Sequence, residues 1–232
     1  THGHEDHVGG LQFLLREVSF PIYGSAVTLG LARHRIEEAG LLGKTELIPV
    51  RDGERRRIGA FDVEFIPVTH SVPHAHAIAL HTPQGVILHS GDFKLDLTPV
   101  DGRRTDLARL GELVKSGGVR LLLADSTNAE ERGYAPSERS VGAALKALFV
   151  QQRGRRIITA SFASHIHRIQ QIIEAAIDDG RVVATLGMSM KKNVRMARDL
   201  GLLSIPDSSL IDIDEIERFL PEQVCVISTG SQ

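Results

Sequence analysis

Thr1-His2-Gly3-His4-Glu5-Asp6-His7 decides how the rest of the chain is read, because it packs three imidazoles and the Asp6 carboxylate into six positions as H-x-H-x-D-H. Imidazole nitrogen and carboxylate oxygen are the usual ligands of zinc and related borderline metals. Alternate residues at the end of an extended strand point the same way, so His2 and His4 can share one ion. Asp6 and His7 come after the chain turns, project elsewhere, and suit a second ion about 3.5–4 Å from the first. A histidine tag would be homopolymeric. This stretch instead alternates His with Gly, Glu and Asp and then enters an amphipathic run.

Two later stretches supply what the first one lacks. Val63-Glu64-Phe65-Ile66-Pro67-Val68 is an apolar run that ends in Thr69-His70-Ser71, and Val86-Ile87-Leu88-His89 ends in Ser90-Gly91-Asp92. A buried strand that ends in a histidine or a carboxylate presents it where a ligand is needed. His70 is therefore the candidate third ligand of the first ion, and Asp92 the candidate bridge between the two. A satisfied core histidine and a turn-capping aspartate are the bland alternatives, and the motif upstream weighs against both. His74, His76, His81 and His89 fall at period-two spacing on strand faces and read as supporting or surface residues.

The chain has 232 residues, a formal net charge of −2 and one cysteine, Cys225. That length makes one large or two modest domains with ample apolar content for a core. A slightly negative molecule does not attract a polyanion through its overall field, so such a substrate needs a local basic patch and the metals. One cysteine rules out an internal disulfide framework and fits a reducing, cytoplasmic setting. No apolar run is long enough to span a membrane. The chain lacks an initiator Met and its metal motif opens at the second residue, so it reads as an internal fragment whose preceding strand is expected outside it.

The rhythm of the chain changes partway along. Val8–Glu17 has helical apolar spacing, Pro21–Gly24 is a short strand closed by Gly, and Ser25 is a candidate N-cap for a helix to about Ala39. Strands are expected at 45–50, 57–58, 62–68, 77–81 and 86–89, in a β-rich stretch suited to antiparallel pairing. From Thr105 helices and strands alternate: helix to Lys115, strand 120–124, helix 137–151, strand 156–160, helix 164–178, strand 182–185, helix 188–200 and strand 223–227. That alternation signals parallel βαβ units. The expected domains are 1–135 and 136–232.

Taken in order, His2-x-His4-x-Asp6-His7, His70 and Asp92 resemble the metal motifs of the metallo-β-lactamase superfamily. Five stretches resemble, more narrowly, the bacterial ribonuclease J family of the β-CASP group. They are Thr69-His70-Ser71-Val72-Pro73, His89-Ser90-Gly91-Asp92-Phe93-Lys94-Leu95-Asp96, Ala124-Asp125-Ser126-Thr127-Asn128-Ala129-Glu130, the run from Ser161 to Gln171, and Ser228-Thr229-Gly230-Ser231-Gln232. The resemblance implies an α/β fold, an incomplete metallo-β-lactamase-like αββα sandwich with part of a β-CASP βαβ domain. It implies His2, His4 and His70 on one ion, with Asp6, His7 and Asp92 completing or bridging the other. Asp125 would match the acidic first β-CASP motif and organise the surroundings of the metals. Ser164, His165 and Ile166, at a helix start with a hydroxyl and unpaired amides, would bind a substrate phosphate. The implied cofactors are two divalent ions, zinc first, with manganese or magnesium as alternatives. RNA and further copies of the chain are the implied partners. Two departures stand out: His74 replaces a frequent Asp, and Gly187-Met188-Ser189-Met190 lacks the Arg of a common G-R-S-M. A final metal ligand and further β-CASP histidines are expected beyond Gln232.

The activity this implies is hydrolysis of RNA phosphodiesters, in 5′–3′ exonucleolytic and endonucleolytic modes, with catalytic roles for Asp6, Asp92 and Asp125. Arg153, Arg155, Arg156, Arg168, Lys191 and Lys192 are candidates to grip the RNA backbone. A small-molecule metallohydrolase would share the first half but has no use for the βαβ half. A DNA-processing β-CASP nuclease would use the same chemistry, and a non-catalytic nucleic-acid-binding relative would normally have lost ligands.

Overall fold

The computed structural model describes residues 1–230 and divides into two compact units, Thr1–Pro136 and Ser137–Gln232. In the first unit, α1 (Glu5–Val8) and α2 (Leu11–Glu17) are separated by Gly9 and Gly10. The apolar period alone predicts a single helix there; adjacent glycines cost helical backbone entropy and break it. Ser25 caps α3 (Ala26–Glu38) by accepting the Thr28 amide at 3.3 Å, an arrangement typically worth about 1 kcal/mol.

Strand β1 (Ile22–Gly24) pairs in parallel with β2 (Leu47–Pro49). A five-stranded sheet follows, in the order β3 (Arg55–Ile58), β4 (Phe61–Val68), β5 (Ala75–Thr82), β6 (Gly85–His89) and β7 (Val119–Leu123). Its first four strands are antiparallel neighbours, and β7 joins β6 in parallel. Antiparallel pairing was expected for the whole β-rich part. It fails at β2, which is joined to β1 through α3. Strand β7 joins β6 in parallel through α4 (Leu107–Lys115), as the helix–strand alternation from Thr105 implies, and parallel neighbours require such long connections.

Side-chain alternation along β4 sorts the unit into layers. Val63 and Phe65 pack with Tyr23 of β1 and Ile78 of β5, while Ile66 and Val68 pack on the other face with Leu113 and Leu110 of α4. Beyond the two-stranded sheet, Leu15 of α2 packs with Ala32 and Ile36 of α3 and with Ile22 and Leu47. The layers therefore run helix, sheet, sheet, helix, and the sequence belongs to the α/β class with an αββα arrangement in this unit.

The second unit runs α5 (Arg139–Gln151), β8 (Ile157–Ser161), α6 (Ile166–Asp178), β9 (Val182–Leu186), α7 (Met188–Asp199), β10 (Leu210–Ile211) and β11 (Val224–Thr229). Its sheet has the order β10-β9-β11-β8, with every pairing parallel. Ile166, Ile169 and Ile173 of α6 form one buried face against Val183 of β9, Ile227 of β11 and Met190 of α7. Period-3.6 spacing on a helix, set against continuous apolar strands, produces such a core. Among the described residues, no helix is long and apolar enough to cross a membrane.

Candidate metal centre

The N-terminal segment reaches the start of β5, the central strand of the five-stranded sheet, through its backbone. The His76 amide of β5 donates to the Thr1 carbonyl at 2.9 Å, fixing the residue before His2. Gly3 lies so close to α3 that an added Cβ would sit 2.4 Å from Leu31 Cδ1, so a side chain between the two histidines would have to displace Leu31. Asp6 and His7 then fall within α1 itself, with His4 as its N-cap residue. The expected turn between the two pairs is thus the onset of a helix.

Gly91 supplies the other close approach. It has φ +59°, and an added Cβ would meet Thr1 Cβ at 2.9 Å and the His76 carbonyl oxygen at 3.0 Å. This left-handed residue turns the chain after β6, and the exposed His89 ring accepts its amide at 3.0 Å. Asp92 emerges on the far side of that turn, and the loop from Thr69 to His74 between β4 and β5 brings His70 to the same place.

The structure brings His2, His4, His70 and Asp92 together, with one ligand-capable atom from each within 4.8 Å of the others. His4 Nδ1 stands 3.1 Å from His2 Nε2 and 3.2 Å from His70 Nε2. Asp92 Oδ2 stands 3.7 Å from His2 Nε2 and 3.8 Å from His70 Nε2. A tetrahedral zinc ion with bonds of about 2.0–2.1 Å separates its ligands by roughly 3.4 Å, so three ring nitrogens and a carboxylate oxygen at these distances fit such an ion. The other oxygen, Asp92 Oδ1, faces His7 Nε2 at 3.2 Å, and His7 Nε2 lies 3.7 Å from Asp6 Oδ2. Asp6 is the outermost of the six, its side chain 79 % exposed.

Electrostatics keep these rings neutral. Burial, followed by the neighbouring imidazoles, lowers the His2 pKa to about 2. Burial and His4 lower that of His70 to about 4, and burial also lowers that of His4. Neutral imidazole is the form that coordinates, so at pH 7 no proton has to be displaced from these ligands. Ser71 Oγ lies 3.2 Å from His4 Nε2, and Thr1 Oγ1 lies 3.3 Å from Nδ1 of both His2 and His7. Hydroxyls on the outward nitrogens fix ring orientation.

Asp125 follows β7. Its amide donates to Ser90 Oγ at 2.8 Å, its Oδ2 accepts the Phe93 amide at 3.4 Å, and the Thr127 amide and hydroxyl, which hold Oδ1, depress its pKa. It braces the Asp92 loop from behind.

Ser164, His165 and Ile166 sit at the start of α6, which begins two residues later than the expected Ser164. His165 is the N-cap and accepts the Arg168 amide through Nδ1 at 3.3 Å. The Ile166 amide bonds the Ser164 carbonyl at 2.9 Å, and the Ile166 side chain is fully buried in the core. The Glu138 carboxylate stands 3.8 Å from His165 Nε2 and takes two hydrogen bonds from the Arg168 guanidinium. Of the other basic candidates, Arg153 pairs with Asp179 and Lys191 with Asp212.

The remaining histidines divide as follows: His76 is buried against Asp52, His81 donates to the buried Glu64, and His74 is exposed with φ +57°. His is among the few non-glycine residues that adopt this conformation readily. Asp52, which accepts His76 Nε2, and Arg103, which pairs with Asp52, were not visible in the sequence, where they sit in turn-like stretches without period or motif.

Residues 154–232 match the family model described as Ribonuclease J, beta-CASP domain, and residues 1–139 match that of the Metallo-beta-lactamase superfamily. Over its full length the chain is 47 % identical to Ribonuclease J of Mycobacterium tuberculosis, covering 41 % of that protein. It is 44 % identical to Ribonuclease J of Thermus thermophilus, also covering 41 %, and 40 % identical to that of Helicobacter pylori, covering 33 %. The chain thus spans about two fifths or less of these curated relatives. A solved structure of a protein of unknown function from Enterococcus faecalis V583 matches all of the chain with a TM-score of 0.65 at 17 % identity, over 57 % of its own length; this likeness is one of fold. With a family match across the whole αββα unit and the ligand cluster in place, the chain belongs to the metallo-beta-lactamase superfamily.

Proposed function

We propose that the chain carries the metal centre of a ribonuclease that hydrolyses RNA phosphodiesters, acting from 5′ ends and internally. The observation that carries this reading is the Asp92 carboxylate, whose two oxygens face different partners: Oδ2 the His2/His4/His70 group and Oδ1 His7. The arrangement suits a bridging ligand between two cations. The similarity to proteins named Ribonuclease J in both units supports RNA as the substrate.

Two divalent cations held there would supply Lewis acidity, acidifying water and offsetting the charge of a phosphodiester. The imidazole-rich set favours zinc over manganese or magnesium. His2, His4 and His70 hold neutral nitrogens toward one position, and His7 and Asp6 face the other. Asp6, exposed beside His7, is placed to take the proton from the attacking water. Water oxygen then bonds to phosphorus as the P–O3′ bond breaks, leaving a 5′-phosphate on the downstream product, while the departing O3′ takes a proton from solvent to become a 3′-hydroxyl. Asp125 acts on the loop that carries Asp92. Phosphate binding at Ser164–Ile166 belongs to the same reading, with Glu138 as the group it must accommodate.

The test is to give the intact protein 5′-phosphorylated RNA, DNA of the same sequence and a chromogenic β-lactam, and to measure bound metal per chain. Metal-dependent cleavage of RNA, with two ions bound, is the expected result. Turnover of the β-lactam alone would replace this reading with a small-molecule hydrolase, and preference for DNA would assign a DNA-processing role.

A further inference from the structure

The loop that carries His70 is held at its mouth by one guanidinium. Val68 and Ala75 are register partners at the end of the β4–β5 ladder, and the loop lies between them. Arg103 Nη1 donates to the Val68 carbonyl and Nη2 to the Ala75 carbonyl, each at 2.8 Å. The Arg103 carbonyl in turn accepts Thr69 Oγ1 at 3.1 Å, and the Thr69 amide donates to Thr105 Oγ1 at 3.0 Å.

The same guanidinium is oriented by a carboxylate. Arg103 Nε and Nη2 each reach Asp52 at 2.7 Å in a two-pronged pair. Asp52 also accepts His76 Nε2 at 2.8 Å, and a carboxylate can only accept, so Nε2 carries the proton. His76 is buried, and its amide holds the Thr1 carbonyl next to His2. One connected set of hydrogen bonds therefore fixes both the His70 loop and the segment that delivers His2. Burial alone would raise the Asp52 pKa, but the His76 and Arg103 hydrogen bonds outweigh it and hold the carboxyl ionised.

We infer that Arg103, oriented by Asp52, is a positioning residue for the metal centre: it clamps the two carbonyls flanking the His70 loop and, through His76, the segment bearing His2. The inference rests on the metal-centre reading above. A planar fork can hold two carbonyls and a carboxylate at once, which the ammonium of lysine cannot do in one geometry. Groups that orient ligands without touching the metal typically change its affinity by about 10–100-fold when removed.

The experiment measures cobalt(II) binding to the intact protein by competition with a chromophoric chelator, together with the cobalt d–d spectrum and the metal-induced rise in melting temperature. Arg103→Ala should weaken cobalt binding by about 10–100-fold, alter the spectrum and shrink the metal-induced rise. Arg103→Lys should recover part of the affinity. Arg55→Ala, which breaks the exposed pair with Asp62 in the same sheet, should leave all three at wild-type values. A purely structural role would lower the melting temperature equally with and without metal. Wild-type cobalt affinity and spectrum in a folded Arg103→Ala protein would overturn the inference. If that variant does not fold, Asp52→Asn decides: it removes the charge while keeping an acceptor, and unchanged cobalt binding would count equally against the clamp. A wild-type protein that takes up no cobalt would remove the metal-centre reading and this inference with it, whereas normal uptake in every variant would remove the clamp alone.

Discussion

The two units solve the problem of building a core differently. Among the described residues of Ser137–Gln232, most of the buried apolar ones share one cluster centred on α6, β9 and β11. In Thr1–Pro136 the core is divided by the sheet layers into separate clusters, and charged or imidazole groups such as Glu64, His76 and His2 are buried in the same unit. A buried charge costs stability unless it is paired and hydrogen-bonded. Glu64 accordingly takes bonds from Arg109 and His81. The second unit buries a polar network too, Arg181 with Asp179, so the two differ chiefly in how continuous the apolar core around such groups is. The first unit is also where the ligand cluster lies.

The sharpest way to break this contrast is at Asp92. Asp92→Ala should lower metal-dependent hydrolysis by about 10³-fold, several kcal/mol of barrier, and reduce bound metal, while the urea midpoint of the metal-free protein changes little. Retained turnover would mean that this carboxylate bridges nothing. Ile173→Ala reverses the pattern. Emptying a fully buried site on α6 should cost about 2–5 kcal/mol in urea unfolding without changing metal affinity per folded molecule.

A third comparison uses pH. The folded His70 pKa of about 4 lies below its ordinary 6.5, so between those values the unfolded chain binds more protons than the folded one. Stability of the chelated protein should therefore fall as pH drops from 6.5 to about 4, by about 3 kcal/mol from this residue. Hydrogen exchange should show the loss around His70 before it reaches the amides of α6. Equal loss in both would show that the pH sensitivity is not seated in the ligand cluster. The smallest effect concerns α6. If its start holds a phosphate, Glu138→Gln should tighten RNA binding a few-fold, on the order of 0.3–1 kcal/mol from removing a competing negative charge at a helix N-terminus. Unchanged affinity would leave His165 as a cap and no more.

Much of this was readable in advance, for physical reasons that differ by region. Period-two and period-3.6 apolar patterns reveal β4, β6, α6 and β11 because burial has a direction that sequence records. H-x-H-x-D-H is visible because ligand density is rare. Strand direction at β1 and β2 was not legible, since it depends on where the connecting helix packs. The start of α6 was displaced by two residues because His165, not Ser164, takes the capping amide. Asp52 and Arg103 left no trace, because Arg103 meets the His70 loop through backbone carbonyls, which every residue has, and Asp52 pairs with Arg103 and His76 across long sequence separations.

The crowding at Gly91 bears on which lesions can be reversed. A substitution that merely weakens a ligand can be offset by raising the metal concentration, since binding to the folded state shifts the equilibrium by mass action. A side chain at Gly91 would push on Thr1 and on the His76 carbonyl and would also have to adopt a left-handed backbone, displacing the segment before His2 together with the turn before Asp92. No concentration of metal restores ligands that have moved apart. In a saturation screen supplemented with metal, Gly91 should be among the positions that supplementation does not rescue, although it contributes no atom to the centre.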